Sequence, residues 1–287
     1  MSSLPEEEWD IEITPKSNLF DLKLMDTWRY RDLLLLLVRR DFVSFYKQTI
    51  LGPLWFFIQP IITILIFNLI FNNLAQIKTG PVPAPLFYLA GTIIWNYFSD
   101  CLIKTSTVFK DNAAMMGKVY FPRLIMPLSI VLSNLVRFAV QFILFIILMV
   151  IYMIRGELLV PNYLVLLFPL LIVIIAALGL GLGMIVSAVT TKYRDLAFVV
   201  SFGVPLLMYT TTVVYPLSTA IAKYPAYSWI IKYNPVTAII ETFRYGFFGS
   251  GSFSWGLFAY SVIVTLVILL LGIIIFNKVE KTFVDTV

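Results

Sequence analysis

The stretch DNAAMMGKVYFPRLIMP, residues 111–127, separates two long apolar runs. Its charged residues, Asp111, Lys118 and Arg123, decide how those runs are read. An unpaired ionised side chain at the bilayer centre costs about 2.5–3.5 kcal/mol on insertion scales. The chain is therefore expected to leave lipid here, turn, and return as a second helix. Asp111 or Asn112 can cap a short helix over residues 112–119, and Pro122 suits the first turn of the helix that follows. A helix of about seven residues does not hold alone and must pack on something. Met115 and Met116 read as exposed, adaptable apolar groups. They either fill a partner's groove or fold back onto the ends of the chain's own bundle.

Composition points the same way. The 287 residues are 60% hydrophobic and 13% charged, against about 25% charged in ordinary soluble domains. Lipid is the main solvent, and the length is consumed by one all-α transmembrane bundle. The net charge of +5 is no nucleic-acid signal, because the basic residues sort by side of the membrane. Cys101 is the single cysteine, which rules out an internal disulfide. There is no histidine, so the commonest general base and metal ligand is missing. The opening MSSLPEEEWD is acidic and has no apolar core, unlike a cleaved signal peptide.

Residues 1–26 read as a polar tail and residues 27–50 as an amphipathic helix. Leu34, Leu37, Val38, Phe42 and Phe45 share one face of it, while Arg40, Ser44 and Lys47 lie on another. Trp28 and Tyr30 suit a headgroup boundary, and Arg39, Arg40 and Asp41 make a spanning role costly. The helix is expected to lie in the interface plane. The membrane domain is then 51–287, with spans at about 54–73, 86–107, 124–154, 163–190, 196–215 and 255–276. About 20 residues at 1.5 Å each cover a hydrocarbon core of about 30 Å. Gly179, Gly181 and Gly183 permit close helix contact in the fourth span. Because that GLGLG run lies inside a span, it is not read as a phosphate loop. Prolines 216, 225 and 235 divide the segment after the fifth span into pieces too short to cross. Asn234 is a good N-cap and Pro235 a good first residue for a helix ending near Gly249. Re-entrant helices over about 217–249 fit, provided protein or a wet cavity buries their ends.

Six spans put both ends on one side. Of the 21 Lys and Arg residues, fifteen fall on the N-terminal side. Five fall opposite (Lys78, Arg155, Lys223, Lys232 and Arg244), and Arg137 lies within a span. The positive-inside rule then makes the N-terminal side cytosolic.

No enzyme constellation emerges. Without His there is no Ser/His/Asp or Cys/His arrangement. Gly117-Lys118 is followed by Val119, and Asn112 stands where a phosphate loop needs its first glycine. The chain has no ATP site of its own on this reading, no metal site and no cofactor. The acids within apolar segments, Asp100 and Glu241, do not form a catalytic pair. Glu241 and Arg244, at i and i+3, are read as an internal pair. Asp100 and Arg137 either pair across neighbouring helices or line a polar conduit. Trp95, Tyr97 and Phe98 cluster in the second span, and Tyr209, Tyr215, Tyr224, Tyr227, Trp229 and Tyr233 crowd the outer end. These aromatics are either interfacial belt residues or rings on which sugars slide.

One further reading rests on recognition. KVYFPRLIMP (residues 118–127), WNYFSD (95–100), YKQTILGPLW (46–55) and Tyr193-Arg194-Asp195 stand in an order and spacing that resembles the transmembrane subunit of ABC-2 type exporters. The nearest branch is the Wzm-like permeases that export lipid-linked polysaccharides such as O antigen or teichoic acid. The resemblance runs from about Trp28 to the end of the chain. It implies a homodimer of six-span subunits bound to two copies of a cytosolic ATPase, which supply ATP and Mg. It implies a bacterial inner-membrane location, both termini cytosolic, and an undecaprenyl-linked polysaccharide as substrate. On that pattern Asn112, Met115, Met116, Lys118, Tyr120, Pro122, Arg123, Arg194 and Asp195 couple to the ATPase. Trp95, Tyr97, Phe98, Asp100, Tyr209 and Tyr215 line the path. Tyr224, Trp229, Tyr233, Asn234, Pro235, Glu241 and Arg244 form an outer gate. Asp100 departs from the neutral polar residue the resemblance leads one to expect. Export of a drug or small lipid, an intramembrane glycan-processing enzyme, and a membrane scaffold are the alternative functions.

Overall fold

The computed structural model describes residues 28–47, 49–116, 121–193 and 195–284. Among these the secondary structure is helical, without strands. The α-helices run α1 Arg31–Tyr46, α2 Trp55–Phe67, α3 Ala84–Ser106, α4 Val108–Asp111, α5 Ala113–Met116, α6 Ile125–Ile154, α7 Phe168–Lys192, α8 Leu196–Leu207, α9 Leu217–Lys223, α10 Ser228–Lys232, α11 Pro235–Phe248 and α12 Trp255–Val284. Short 3-10 turns lead into α2 and α7 and extend α8, and a π-helical stretch, Asn68–Leu74, extends α2.

Among the described residues five helical segments are long and apolar enough to cross a membrane: Gly52–Leu74, Ala84–Ser106, Ile125–Ile154, Tyr163–Lys192 and Trp255–Val279. The chain is accordingly a multi-pass membrane protein. The segment expected to make the fifth crossing is shorter. Leu196–Thr210 contains Pro205 and stops before Thr211. Its 15 residues reach about 22 Å, less than the hydrocarbon core.

The helix α3 is central and the most enclosed of the five, although its mean hydropathy is the lowest. A helix surrounded by other helices has no lipid to satisfy, so it can carry Thr92, Ser99, Thr105 and Ser106 in buried positions. Lipid-facing α6 and α12 instead expose Ile147, Leu266 and Leu270. Against α3 lies α7, through the glycines expected to allow it. A Cβ on Gly179 would meet the Phe98 carbonyl oxygen at 2.9 Å, and one on Gly183 would meet Thr105 Cβ at 2.6 Å. Gly181 points the other way, towards Leu269 of α12. Two spaced glycines thus serve one neighbour and the glycine between them serves the other.

At one end of the bundle α1 packs along α6 through Leu37, which is buried. A second core cluster sits there, joining Leu37, Val108, Phe109, Phe121, Ile125, Met126, Met184 and Phe276. The Phe109 and Phe276 rings stack at 4.6 Å. At the opposite end α11 is almost wholly buried. It rests on an aromatic cluster of Phe142, Phe145 and Phe168 with its own Phe243 and Phe247.

Candidate functional site

Three places concentrate polar or functional chemistry. The first is the polar break at 111–127. Asp111 and Asn112 turn back rather than cap forward. The Thr107 hydroxyl donates to Asp111 Oδ2 at 2.6 Å, and Asn112 Nδ2 donates to the Val108 carbonyl at 3.0 Å. The exposure expected of Met115 is corrected: it is half-buried and packs on the cluster around Phe109 and Phe276. A four-residue helix cannot stand away from the bundle, so its apolar side chain lies down on it. Lys110, Asp111 and Ala114 carry the exposed side. The following helix begins at Ile125, later than expected, and the Pro122 carbonyl accepts from Ile125 N at 3.0 Å to start the turn. Arg123 is half-buried and Asp195 exposed. Lys118, Tyr120, Arg194 and the side chain of Met116 lie outside the described residues.

The second place is built around Arg244 on α11. Its guanidinium is fully enclosed and sits 3.5 Å above the Phe87 ring. It donates to three backbone carbonyls: Thr212 at 2.5 Å, Phe87 at 2.9 Å and Val213 at 2.9 Å. The reason lies in the backbone after α8. Residues 211–214 are buried and non-helical. Carbonyls freed from a helix at membrane depth need internal donors, and a guanidinium carries five N–H groups in a planar fork. Gly91 makes the approach possible, because a Cβ there would meet Arg244 Nη2 at 2.6 Å and Val213 Cα at 3.0 Å. Glu241 pairs with Arg244 at 3.6 Å, as its i, i+3 spacing leads one to expect, and accepts from the Ser252 hydroxyl at 2.9 Å. One ion pair therefore ties α3, the break after α8, α11 and the turn before α12 together. Above it lies a cavity of about 390 Å³ lined by Lys78, Thr219, Phe248 and Ser252 among others.

Around this staple, Asn234 caps α11 by accepting from Val236 N at 3.0 Å, with Pro235 in the first turn. Asn162 caps the turn before α7 and donates to the Tyr245 carbonyl at 2.8 Å. Tyr224, Trp229 and Tyr233 are exposed. Tyr209 is exposed too, and the Tyr215 hydroxyl donates to its carbonyl at 2.6 Å.

The third place lies between α1, α3 and α6. Arg137 pairs with Asp100 at 2.8 Å, which resolves the two readings left open for these residues in favour of pairing. Lys104 donates to Asn134 Oδ1 at 2.8 Å, Arg40 pairs with Asp41 at 2.8 Å, and the Ser133 hydroxyl reaches Asp41 at 3.4 Å. Of these, Asp41, Lys104, Ser133, Asn134 and Arg137, with Phe42, Ser44, Phe56 and Ile130, line a half-open groove. Lys104, Asn134 and Asp41 were not singled out from sequence as a site. The available signal was the i, i+4 spacing of Asp100 and Lys104 on α3 beside Asn134 and Arg137 on α6. Trp95, Tyr97 and Phe98, by contrast, are 3%, 3% and 4% exposed and pack inside the protomer's core. Among the described residues no group of three or more His, Cys, Asp or Glu is placed to hold a metal ion.

These three places bury charge and satisfy broken backbone within the helical bundle. Residues 32–248 match the family model described as ABC-2 type transporter. The O-antigen export system permease protein RfbA of Myxococcus xanthus is 30% identical over 219 residues, covering 76% of this chain and 81% of that protein. Two proteins of the same name from Klebsiella pneumoniae are 26% and 27% identical over 254 residues, covering 88% of this chain and 94% of each relative. A multi-pass helical bundle matched by that family model over most of its length is a member of it: this chain belongs to the ABC-2 type transporter family.

Proposed function

We propose that this chain is the permease subunit of an ATP-driven exporter that carries lipid-linked polysaccharide across the bacterial inner membrane. The observation that carries the reading is the similarity, over 88% of this chain, to proteins named as O-antigen export permeases. The substrate is an undecaprenyl-linked glycan. Export of a drug or small lipid has no comparable support, and no catalytic constellation supports glycan processing. The working unit is a homodimer with two copies of a cytosolic ATPase, which bring the ATP and Mg. The excess of Lys and Arg supports an orientation with α1, α4 and α5 in the cytosol. Leu196–Thr210 makes the fifth crossing in chain order by local thinning and by continuing into the buried break held by Arg244, and α9 to α11 re-enter from the outer side. Aromatic side chains at that end, Tyr224, Trp229 and Tyr233, form the outer gate.

A cell lacking the chain is expected to accumulate undecaprenyl-linked polymer inside and lose surface glycan. Normal surface glycan in that strain would overturn the reading.

Coupling to the ATPase is assigned to the exposed side of the 108–116 segment, with the half-buried Met115 anchoring it to the bundle. Ala114→Glu leaves that anchor in place and puts a carboxylate into the docking face. Copurification of the ATPase should fall by about tenfold or more, while membrane insertion is unchanged. Undiminished copurification would remove the segment from the interface.

A further inference from the structure

We propose that the groove between α1, α3 and α6 is a phosphodiester site that seats the headgroup phosphate of a glycerophospholipid from the leaflet on which α1 lies. Its position suits a lipid headgroup. Asp100 and Lys104 fall within the last two turns of α3, near the end where α1 packs along α6. Ionised groups at that depth sit level with the headgroups rather than with the acyl chains.

The charges then sort themselves. Arg40 is paired with Asp41, and Arg137 with Asp100. Among the described residues Lys104 has no ion pair. Its ammonium carries three N–H groups and spends one on Asn134 Oδ1. That bond also orients the Asn134 amide, so Nδ2 is a donor. Asn134 is 2% exposed, lines the groove, and its Nδ2 faces the Cys101 thiol, a weak acceptor, with no oxygen or nitrogen acceptor. A buried donor left without an acceptor is destabilising and is normally answered by a protein group, a water or a ligand. The groove therefore offers one ammonium without an ion pair, at longer range from Asp41 and Asp100, beside an amide donor without an oxygen acceptor. Phe42, Phe56 and Ile130 supply apolar wall for the glycerol and the first acyl carbons.

The ligand that fits is an acceptor-rich anion of single charge. A phosphodiester matches. A diphosphate is disfavoured, because its additional charge would face Asp41 and Asp100 with no further free cation. The inference rests on the proposed orientation only for which leaflet supplies the lipid, and it does not depend on which substrate is exported.

The test uses the full chain in complex with its ATPase, delipidated in detergent and titrated by native mass spectrometry. The probes are phosphatidylglycerol, diacylglycerol as the phosphate-free control, and undecaprenyl diphosphate. Phosphatidylglycerol should be retained over diacylglycerol. Lys104→Met should weaken it by about tenfold, the loss expected for one charge-assisted hydrogen bond, and Lys104→Arg should restore it. Retained ATPase in the same spectra checks that Lys104→Met leaves the complex assembled. Asn134→Leu should weaken phosphatidylglycerol in the same direction. Equal retention by wild type and Lys104→Met, or retention no better than that of diacylglycerol, overturns the site. Tighter, Lys104-dependent retention of undecaprenyl diphosphate overturns the phosphodiester assignment in favour of the carrier. Failure of export in cells with phosphatidylglycerol binding intact would count against the proposed function alone.

Discussion

Arg244→Leu is expected to destabilise the protein by about 3–5 kcal/mol, the range for removing one partner of a buried ion pair. The loss is larger than the pair alone suggests. The carbonyls of Thr212, Val213 and Phe87 would lose their donor together, and Glu241 would be left charged in a buried position. Arg244→Lys should rescue little, because one ammonium on a flexible stem cannot reproduce a planar fork that bridges three carbonyls and lies on the Phe87 ring. Glu241→Gln should cost less, since an amide retains an acceptor for the Ser252 hydroxyl. The measurement is the monodisperse fraction after detergent extraction, followed against temperature. A wild-type melting profile for Arg244→Leu would show that the break after α8 is held by something else.

Gly272→Val is expected to separate α12 from α7. A Cβ on Gly272 would meet the Gly181 carbonyl oxygen at 2.6 Å and its Cα at 3.0 Å. On the facing side, a Cβ on Gly181 would meet Leu269 Cα at 2.8 Å and N at 2.9 Å. Every obstructing atom is backbone, so no side chain can swing aside. Overpacking of this kind costs about 1–3 kcal/mol and occasionally more, and without a hydrophobic drive between helices in lipid the close approach is itself the source of association. Gly203→Ala is the control, because nothing lies within 4 Å of its Cβ position. A folded yield for Gly272→Val equal to that of Gly203→Ala would refute the crossing.

Much of this arrangement was legible in residue order. The polar break at 111–127 separates α3 from α6, and the apolar runs on either side became helices close to their expected bounds. Asn234 and Pro235 open α11 and Gly249 closes it with a φ of 68°. These are local signals, carried within a few residues by hydropathy and capping chemistry. The errors came where a side chain's surroundings are supplied by distant chain. Met115 looked exposed because its sequence neighbours are polar, yet Phe109 and Phe276 lie beneath it. Trp95, Tyr97 and Phe98 are placed in the core by helices that wrap α3 on all sides.

That the chain is a helical membrane protein, roughly where it crosses, and that its charge is asymmetric all follow from residue order, because each depends on transfer of local segments between water and lipid. Which charges meet is settled by helix packing alone. Arg137 and Asp100 are 37 residues apart, and Arg244 reaches a carbonyl 157 residues away. A buried charge takes whatever partner helix packing brings within about 3 Å, and no pattern along a single helix specifies that neighbour.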